Sequence, residues 1–540
     1  MLAAAFLRFN QISSNPPSLT WDEAAWGYNA YSIGIDGKDE FGRFLPLNYL
    51  ESFGDFKPPL YAYLDVVPVK IFGLNEFSTR FPSALFGTLT VFFTYFLVTR
   101  IFINSKNKTK YALLASLFLA ISPWHILLSR AAFEANIANF LIVFGVWSFL
   151  LGIQEKKWGL FVSAISFGLS IYTFNTARVV SPLLVIVLGL IYRKKLLKIK
   201  TSVILSLILG FIVILPTLSF LFSPQADLRF KEVNIFSNID TVKTANQEIL
   251  NDNNAFYSKI IHNRRLLYSV DYLKHYFDNL SPLFLFITGD GNPKFSIQDV
   301  GQMYIWDIVF FILGIFILVR KKEDNWFLIP IWLLLAIVPA ATARETPHAL
   351  RIESSLPMFQ ILTAYGFVTF LEWSKKQNLK LKTLNLNLGK ILPLMFYILL
   401  FANFSYFYHT YFYQYKYEYS GEWQYGYKES VDFVNKNAGN YKNIYITNQL
   451  GRPYIYYLFY GKVNPSDFRK NSKVSRDPFG FVSVDRYAKF NFVSNPTATE
   501  LVTKNSLYIT DKYNIPTNVK ILKTFYLLNG DISLVAFTYD

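Results

Sequence analysis

Two adjacent carboxylates, Asp22 and Glu23, stand in the stretch "LTWDEAAWGYNAYS" of a 540-residue chain in which 52% of residues are hydrophobic and only 17% charged. A carboxylate facing a hydroxyl can take its proton as the oxygen attacks an electrophile. A plainer task suits the same pair, because Asp at a helix N-terminus accepts amide hydrogen bonds and complements the helix dipole. Cations follow. Lys57 lies in "FGDFKPPLYAYL", where two prolines fix the backbone at a helix start and aim the lysine. Arg80 stands four residues after Glu76 in "FGLNEFSTRFPSALFG", a spacing that also makes an ordinary helical ion pair. Arg130 and Glu134 have the same spacing in "SPWHILLSRAAFEAN". Arg178 lies in "IYTFNTARVVSP", and His348 and Arg351 in "RETPHALR". Cations beside a departing phosphate stabilise its charge. A base for the acceptor and cations for an anionic leaving group are what transfer from a phosphate ester requires.

Other chemistries fit less well. Asp22, Glu23 and Glu134 could supply oxygen ligands to a divalent cation, but the sequence requires no cofactor and leaves the metal unknown. The five histidines do not cluster, which disfavours a zinc hydrolase. No Walker-type glycine loop appears, which disfavours an ATP-driven transporter. With no cysteine, disulfides and thiolate metal sites are excluded.

The elements that must hold these residues are membrane helices. Uncharged runs such as 81–98 and 202–224 reach the length that spans a bilayer core. The expected spans are 82–103, 111–128, 135–153, 158–175, 178–193, 202–222, 303–320, 326–343, 356–373 and 391–408. "MLAAAFLRF" reads as the end of a further helix, for about 11 in all. The net charge of +16 sits mostly in short basic loops, 104–110, 154–157, 193–200, 320–324 and 375–390. Those loops alternate correctly to share the cytoplasmic side, so the surplus reflects topology and not nucleic acid. Facing outward are a first loop 10–80, a long loop 223–302 with short amphipathic helices, and everything after about 409. Residues 415–540 read as an extracytoplasmic α/β domain: "NIYITNQ", "PYIYYLFYG", "SLYITDKY" and "ISLVAFTY" read as strands. "GYKESVDFVNKNA" reads as a helix. The expected division is thus 1–410, membrane part, and 415–540, outer domain.

The order Asp-Glu, Lys-Pro-Pro, then "FG..E...R" before the next span resembles the dolichyl-phosphate-mannose protein mannosyltransferase superfamily, which includes the bacterial aminoarabinose transferases. The resemblance is strongest over about 20–180 and continues weakly at "PHALRIESSLP". It implies a polytopic plasma-membrane glycosyltransferase of the GT-C type. Such an enzyme moves a sugar, with inversion, from a polyprenyl phosphate to a hydroxyl on a lipid, glycan or protein at the outer face. It also implies that Asp22 is the catalytic base, with Glu23 beside it. Lys57, Arg80, Arg130, Glu134, Arg178, His348 and Arg351 are then expected to bind substrate. The rival readings are a polytopic secondary transporter or a flippase of lipid-linked glycans. A transporter would show two related halves with acids near midplane; this chain shows no internal symmetry and places its charges at helix ends.

Overall fold

The computed structural model describes residues 1–223, 226, 233–376, 380–381, 386–477 and 482–539; parts of the expected loops 223–302 and 375–390 lie outside the described residues. The chain divides into two compact units. One comprises Met1–Leu7, Phe86–Leu128 and Ala135–Phe407, the other Arg8–Leu85, Ser129–Glu134 and Tyr408–Asp540. The first outer loop therefore groups with the C-terminal segment, where composition places a boundary near 410.

The first unit is helical. Every segment expected to span contains a helix. Among the described residues, five helices are long and apolar enough to cross a membrane: Glu76–Ile101, Glu134–Gln154, Lys200–Leu221, Glu353–Lys375 and Ile391–Glu418. A sixth span results if Lys108–Ile121 and Pro123–Arg130, bent by 57° at their break, count as one. Pro123 lacks the N–H that would continue the ladder, which accounts for the bend. Three further apolar helices are shorter, Gly159–Ser170, Ala177–Ile191 and Leu328–Thr342. Helices Asp307–Lys321 and Met358–Lys376 come into backbone contact through glycines. A Cβ on Gly314 would stand 2.1 Å from the Leu362 carbonyl oxygen, and one on Gly366 2.0 Å from that of Phe310. The described part of 223–302 includes the short helices Ile239–Asn251, Phe256–Ile261, Arg264–Asp278 and Pro282–Phe286.

The second unit is built on a seven-stranded mixed sheet. Its spatial order is Lys520–Tyr526, Ile532–Thr538, Ser506–Asp511, Asn443–Thr447, Phe490–Val493, Val482–Tyr487, Ser472–Arg476. Asn443–Thr447 pairs in parallel with both neighbours, and the other pairings are antiparallel. The helix Tyr427–Asn437 forms as its spacing indicates, with Val431 and Val434 fully buried. One expectation is overturned: "PYIYYLFY" is a helix, Pro453–Tyr460, and not a strand. Pro453 opens it at a position where no N–H is needed. Seven of its eight residues are buried, so a run apolar on every side carries no period to distinguish helix from strand.

One apolar core ties the first loop to this sheet. Leu19, Ala24, Ala25 and Tyr28 from the start of the chain share it with Val431, Ile446, Tyr456, Phe459 and Leu534. Gly27 permits the approach: a Cβ there would lie 2.4 Å from Thr79 Oγ1 and 2.5 Å from the Phe459 ring. The Tyr456 hydroxyl donates to the Leu19 carbonyl at 3.1 Å, and the Tyr28 hydroxyl to that of Val463 at 3.2 Å.

Candidate active site

The helix Trp21–Asp36 is capped by Thr20 and not by Asp22. The Glu23 amide donates to Thr20 Oγ1 at 3.2 Å, and the Thr20 amide donates to Glu23 Oε2 at 2.9 Å. This is a capping box, for which Thr-x-x-Glu is the sequence signature. It turns the two acids in opposite senses. Glu23 points inward, 1% exposed. Asp22 stays at the surface with its side chain 51% exposed.

Glu23 is saturated. Besides the Thr20 amide, it accepts from Arg80 Nε at 2.8 Å, Arg80 Nη2 at 3.1 Å and the Ala132 amide at 3.0 Å. Arg80 is fully buried. Its remaining donors go to backbone carbonyls, Nη1 to Ile12 at 2.9 Å and Pro16 at 2.8 Å, and Nη2 to Ser18. A guanidinium has five N–H donors, and all five are engaged. Its face lies 5.7 Å from the Trp423 ring centroid. The geometry corrects two expectations. Arg80 has no donor left for a phosphate, and its ion pair is with Glu23 and not with Glu76. Glu76 instead accepts from Lys428 at 2.8 Å.

Lys57 leaves the second strand of a small hairpin, Leu50–Ser52 with Asp55–Lys57, just before Pro58 and Pro59. Its ammonium donates to Asp22 Oδ1 and lies 5.2 Å from the Trp26 ring and 5.3 Å from that of Phe53. Burial opposes its charge, but Asp22 and Asp55, with Glu134 beyond, outweigh it and hold its pKa above the usual lysine value. Among the described residues, Asp22 Oδ2 accepts no hydrogen bond. The site thus presents one open carboxylate oxygen beside a firmly charged lysine, on an aromatic floor that includes Tyr61, its ring tilted against Trp26 with centroids 5.4 Å apart. The sequence reading passed over Asp55, although it stands in the quoted Lys-Pro-Pro stretch; its distance of two residues along a strand from Lys57 is a same-face signal.

Arg130 and Glu134 do not share one helix. Arg130 ends Pro123–Arg130, and Glu134 opens Glu134–Gln154. The Arg130 guanidinium donates to the Asn15 carbonyl at 2.7 Å and the Tyr411 hydroxyl at 3.2 Å, and lies 4.7 Å from the Phe412 ring. Asp22, Glu23, Lys57, Arg80, Arg130 and Glu134 all fall in the second unit.

Arg178, His348 and Arg351 belong to the first unit. Arg178 lies over the Phe220 ring at 5.0 Å. Arg351 donates to the Glu345 carbonyl at 2.9 Å and pairs with its carboxylate at 3.5 Å. His348 packs on Phe295, ring centroids 4.8 Å apart, with Nδ1 3.9 Å from Asp290 Oδ2. Burial, with help from the Arg351 charge, pushes the His348 pKa down to about 3. Both influences favour the neutral ring, which weighs against a cationic phosphate ligand at this position. Among the described residues, no group of three or more His, Asp or Glu is placed to hold a metal ion.

Residues 56–220 match the family described as dolichyl-phosphate-mannose-protein mannosyltransferase. That stretch includes Lys57, Arg80, Arg130, Glu134 and Arg178, and begins after Asp22. An uncharacterised protein of Aquifex aeolicus is 34% identical over 185 residues, 32% of this chain and 36% of that one, so the match spans about a third of the relative's length. Among solved structures, apo ArnT from Cupriavidus metallidurans superposes with a TM-score of 0.56 at 13% identity, covering 99% of this chain and 96% of that one. The same protein bound to undecaprenyl phosphate gives 0.55 at 14% identity, with the same coverage. AglB from Archaeoglobus fulgidus, in complex with an inhibitory peptide and a dolichol-phosphate, gives 0.51 at 12%, covering 85% and 62%. The resemblance to that family is borne out over 56–220, and the chain shares the overall fold of ArnT and AglB.

Proposed function

We propose that this protein transfers a sugar from a polyprenyl phosphate to an acceptor hydroxyl at the outer face of the plasma membrane, with inversion. The observation that carries the reading is the split of the acid pair. Glu23 is locked inside by Arg80, and Asp22 is left open, held at one oxygen by Lys57. Single displacement needs one base near the acceptor and one cation near the departing phosphate. In this reading Asp22 takes the acceptor proton as the hydroxyl oxygen bonds to the sugar C1, and the C1–O bond to phosphate breaks with its electron pair on the leaving oxygen. Lys57 passes from Asp22 to that phosphate when the donor enters, which frees the base where it is needed. Glu23, Arg80 and Arg130 fix the backbone that carries them. Glu134 shapes the field at Lys57. For Arg178 and Arg351 the reading keeps only the substrate-binding role that the resemblance implies. The expected count of about 11 membrane helices and an outward-facing site belong to this reading, and no metal is assigned a step.

The test is Asp22→Asn in purified protein with a polyprenyl-phosphate sugar donor. The change keeps the side chain's shape and leaves the Thr20 cap untouched. Turnover is expected to fall roughly 100-fold or more, the scale of losing a general base, with donor affinity retained. Near-normal turnover would remove Asp22 from the chemistry and the proposal with it.

A further inference from the structure

The second unit contains a polar cavity that the proposed chemistry does not use. Its volume is about 460 Å³, and its walls come from both ends of the chain. Ser13, Ser14 and Ser18 supply hydroxyls from the segment ahead of the Trp21 helix. Lys416, Lys428, Glu429 and Asp432 supply charges, and Tyr417 and Tyr425 supply phenol rings. Glu76 closes one side, paired with Lys428 at 2.8 Å.

The lining selects a ligand class. Two ammoniums face three carboxylates, and Glu76 already neutralises Lys428, so the balance is −1 and a phosphate or polyanion is repelled. A lipid tail finds hydroxyl and charged groups where it needs apolar walls. Carboxylates accept from hydroxyl groups, ammoniums donate to them, and tyrosine rings pack on their C–H faces. That combination suits a neutral, hydroxyl-rich molecule. Small-ligand pockets run from roughly 300 to 1,000 Å³, and this one has room for a short oligosaccharide.

The cavity is also joined to the catalytic scaffold. The Ser18 carbonyl is one of the groups Arg80 holds, and Thr20, two residues on, caps the helix bearing Asp22. Glu76 lies one helical turn from Arg80. Gly426, a further wall residue, has φ +104°, a conformation that L side chains rarely adopt, and a Cβ there would lie 2.6 Å from Ser533 Oγ. The wall is therefore fixed by backbone on one side and by the Arg80 network on the other.

We propose that this cavity is a subsite for a neutral oligosaccharide carried by the acceptor. Naming the occupant as acceptor rests on the transferase reading; binding of the glycan does not. The test is binding of the detergent-purified protein to an array of neutral and anionic glycans, with undecaprenyl phosphate binding measured on the same preparation. Neutral short glycans are expected to bind, anionic ones not. Glu429 and Asp432 are exposed on the outer face of their helix, so the double variant Glu429→Gln, Asp432→Asn is expected to fold and to lower binding at least tenfold. Ser14→Trp, at a second exposed wall, is expected to block binding by filling the space. No glycan bound, only anionic glycans bound, or neutral binding unchanged in both variants each overturns the subsite. If the lipid phosphate still binds in those cases, the transferase reading stands while the subsite falls.

Discussion

Arg80→Lys separates structural from chemical roles at this site. Lysine keeps the charge but has three donors in place of five, so at least two of the bonds to Glu23, Ile12, Pro16 and Ser18 are lost in a fully buried place. Hydrogen bonds to charged groups contribute about 1.5–3 kcal/mol each, and breaking a buried ion pair costs about 3–5 kcal/mol. The two routes overlap, and the expected loss is about 3–5 kcal/mol. Lys57→Ala is the control. Its partner Asp22 has a side chain 51% exposed and rehydrates when the lysine goes, so the loss is that of a partly exposed pair, about 0–1 kcal/mol. The assay is denaturant unfolding in detergent followed by tryptophan fluorescence, with Trp423 against the Arg80 guanidinium as an internal reporter. Donor binding is titrated on the same samples. Arg80→Lys should unfold early and bind donor normally while folded; Lys57→Ala should unfold like the parent and bind donor at least tenfold more weakly. An Arg80→Lys protein that unfolds like the parent but cannot bind donor would refute the reasoning, because it would make Arg80 a ligand.

Glu40 is buried, accepting from Ser52 at 2.7 Å, Asn29 at 3.3 Å and Tyr454 at 3.3 Å, and burial raises its pKa to about 7. Its proton is bound more tightly in the folded state than in the unfolded one, so its contribution falls as pH rises from about 4.5 to 7; Glu40→Gln is expected to flatten the stability profile across that window, measured by unfolding midpoints. A reporter fused at Lys194 should read as cytoplasmic and one at Asn471 as external, since the basic loops set orientation; the reverse at Asn471 would move the site to the other face. Removing 415–540 should destroy the first loop's fold as well as the sheet, because Leu19, Ala25 and Tyr28 lose their core partners; limited proteolysis within 20–60 reports it, and a protected loop would contradict the shared core.

Much of the architecture is legible in composition alone, because a membrane helix needs only length and apolarity. Each expected span contains a helix, and the Tyr427–Asn437 helix follows from the spacing of Val431 and Val434. The site was legible in its parts. The Thr20–Glu23 capping box is written in the sequence as Thr-x-x-Glu, while Asp22 competes for the same position because Asp is also a favoured capping residue. The role of Arg80 could not be read, since three of its partners are backbone carbonyls that any residue supplies. Nor could the neutrality of His348, which depends on burial and on Arg351 nearby. The helix at Pro453–Tyr460 was hidden by uniform aromatic burial, which erases the contrast between faces.

The core that joins Leu19 and Tyr28 to Val431 and Leu534 also sets a timetable. Those partners are made roughly 400 to 500 residues apart, and at about 5–20 residues per second the ribosome needs roughly 20–100 s to bridge them. Through that interval the Trp21 helix has no sheet to lie on, and its aromatic side chains are available to wrong partners. Asp22 and Lys57 cannot be held in register until the last strands emerge. A chain stopped short anywhere before the final hairpin would be born without its chemistry, whatever its membrane helices achieve. The candidate site is in that sense the last thing the protein makes, although its residues are among the first.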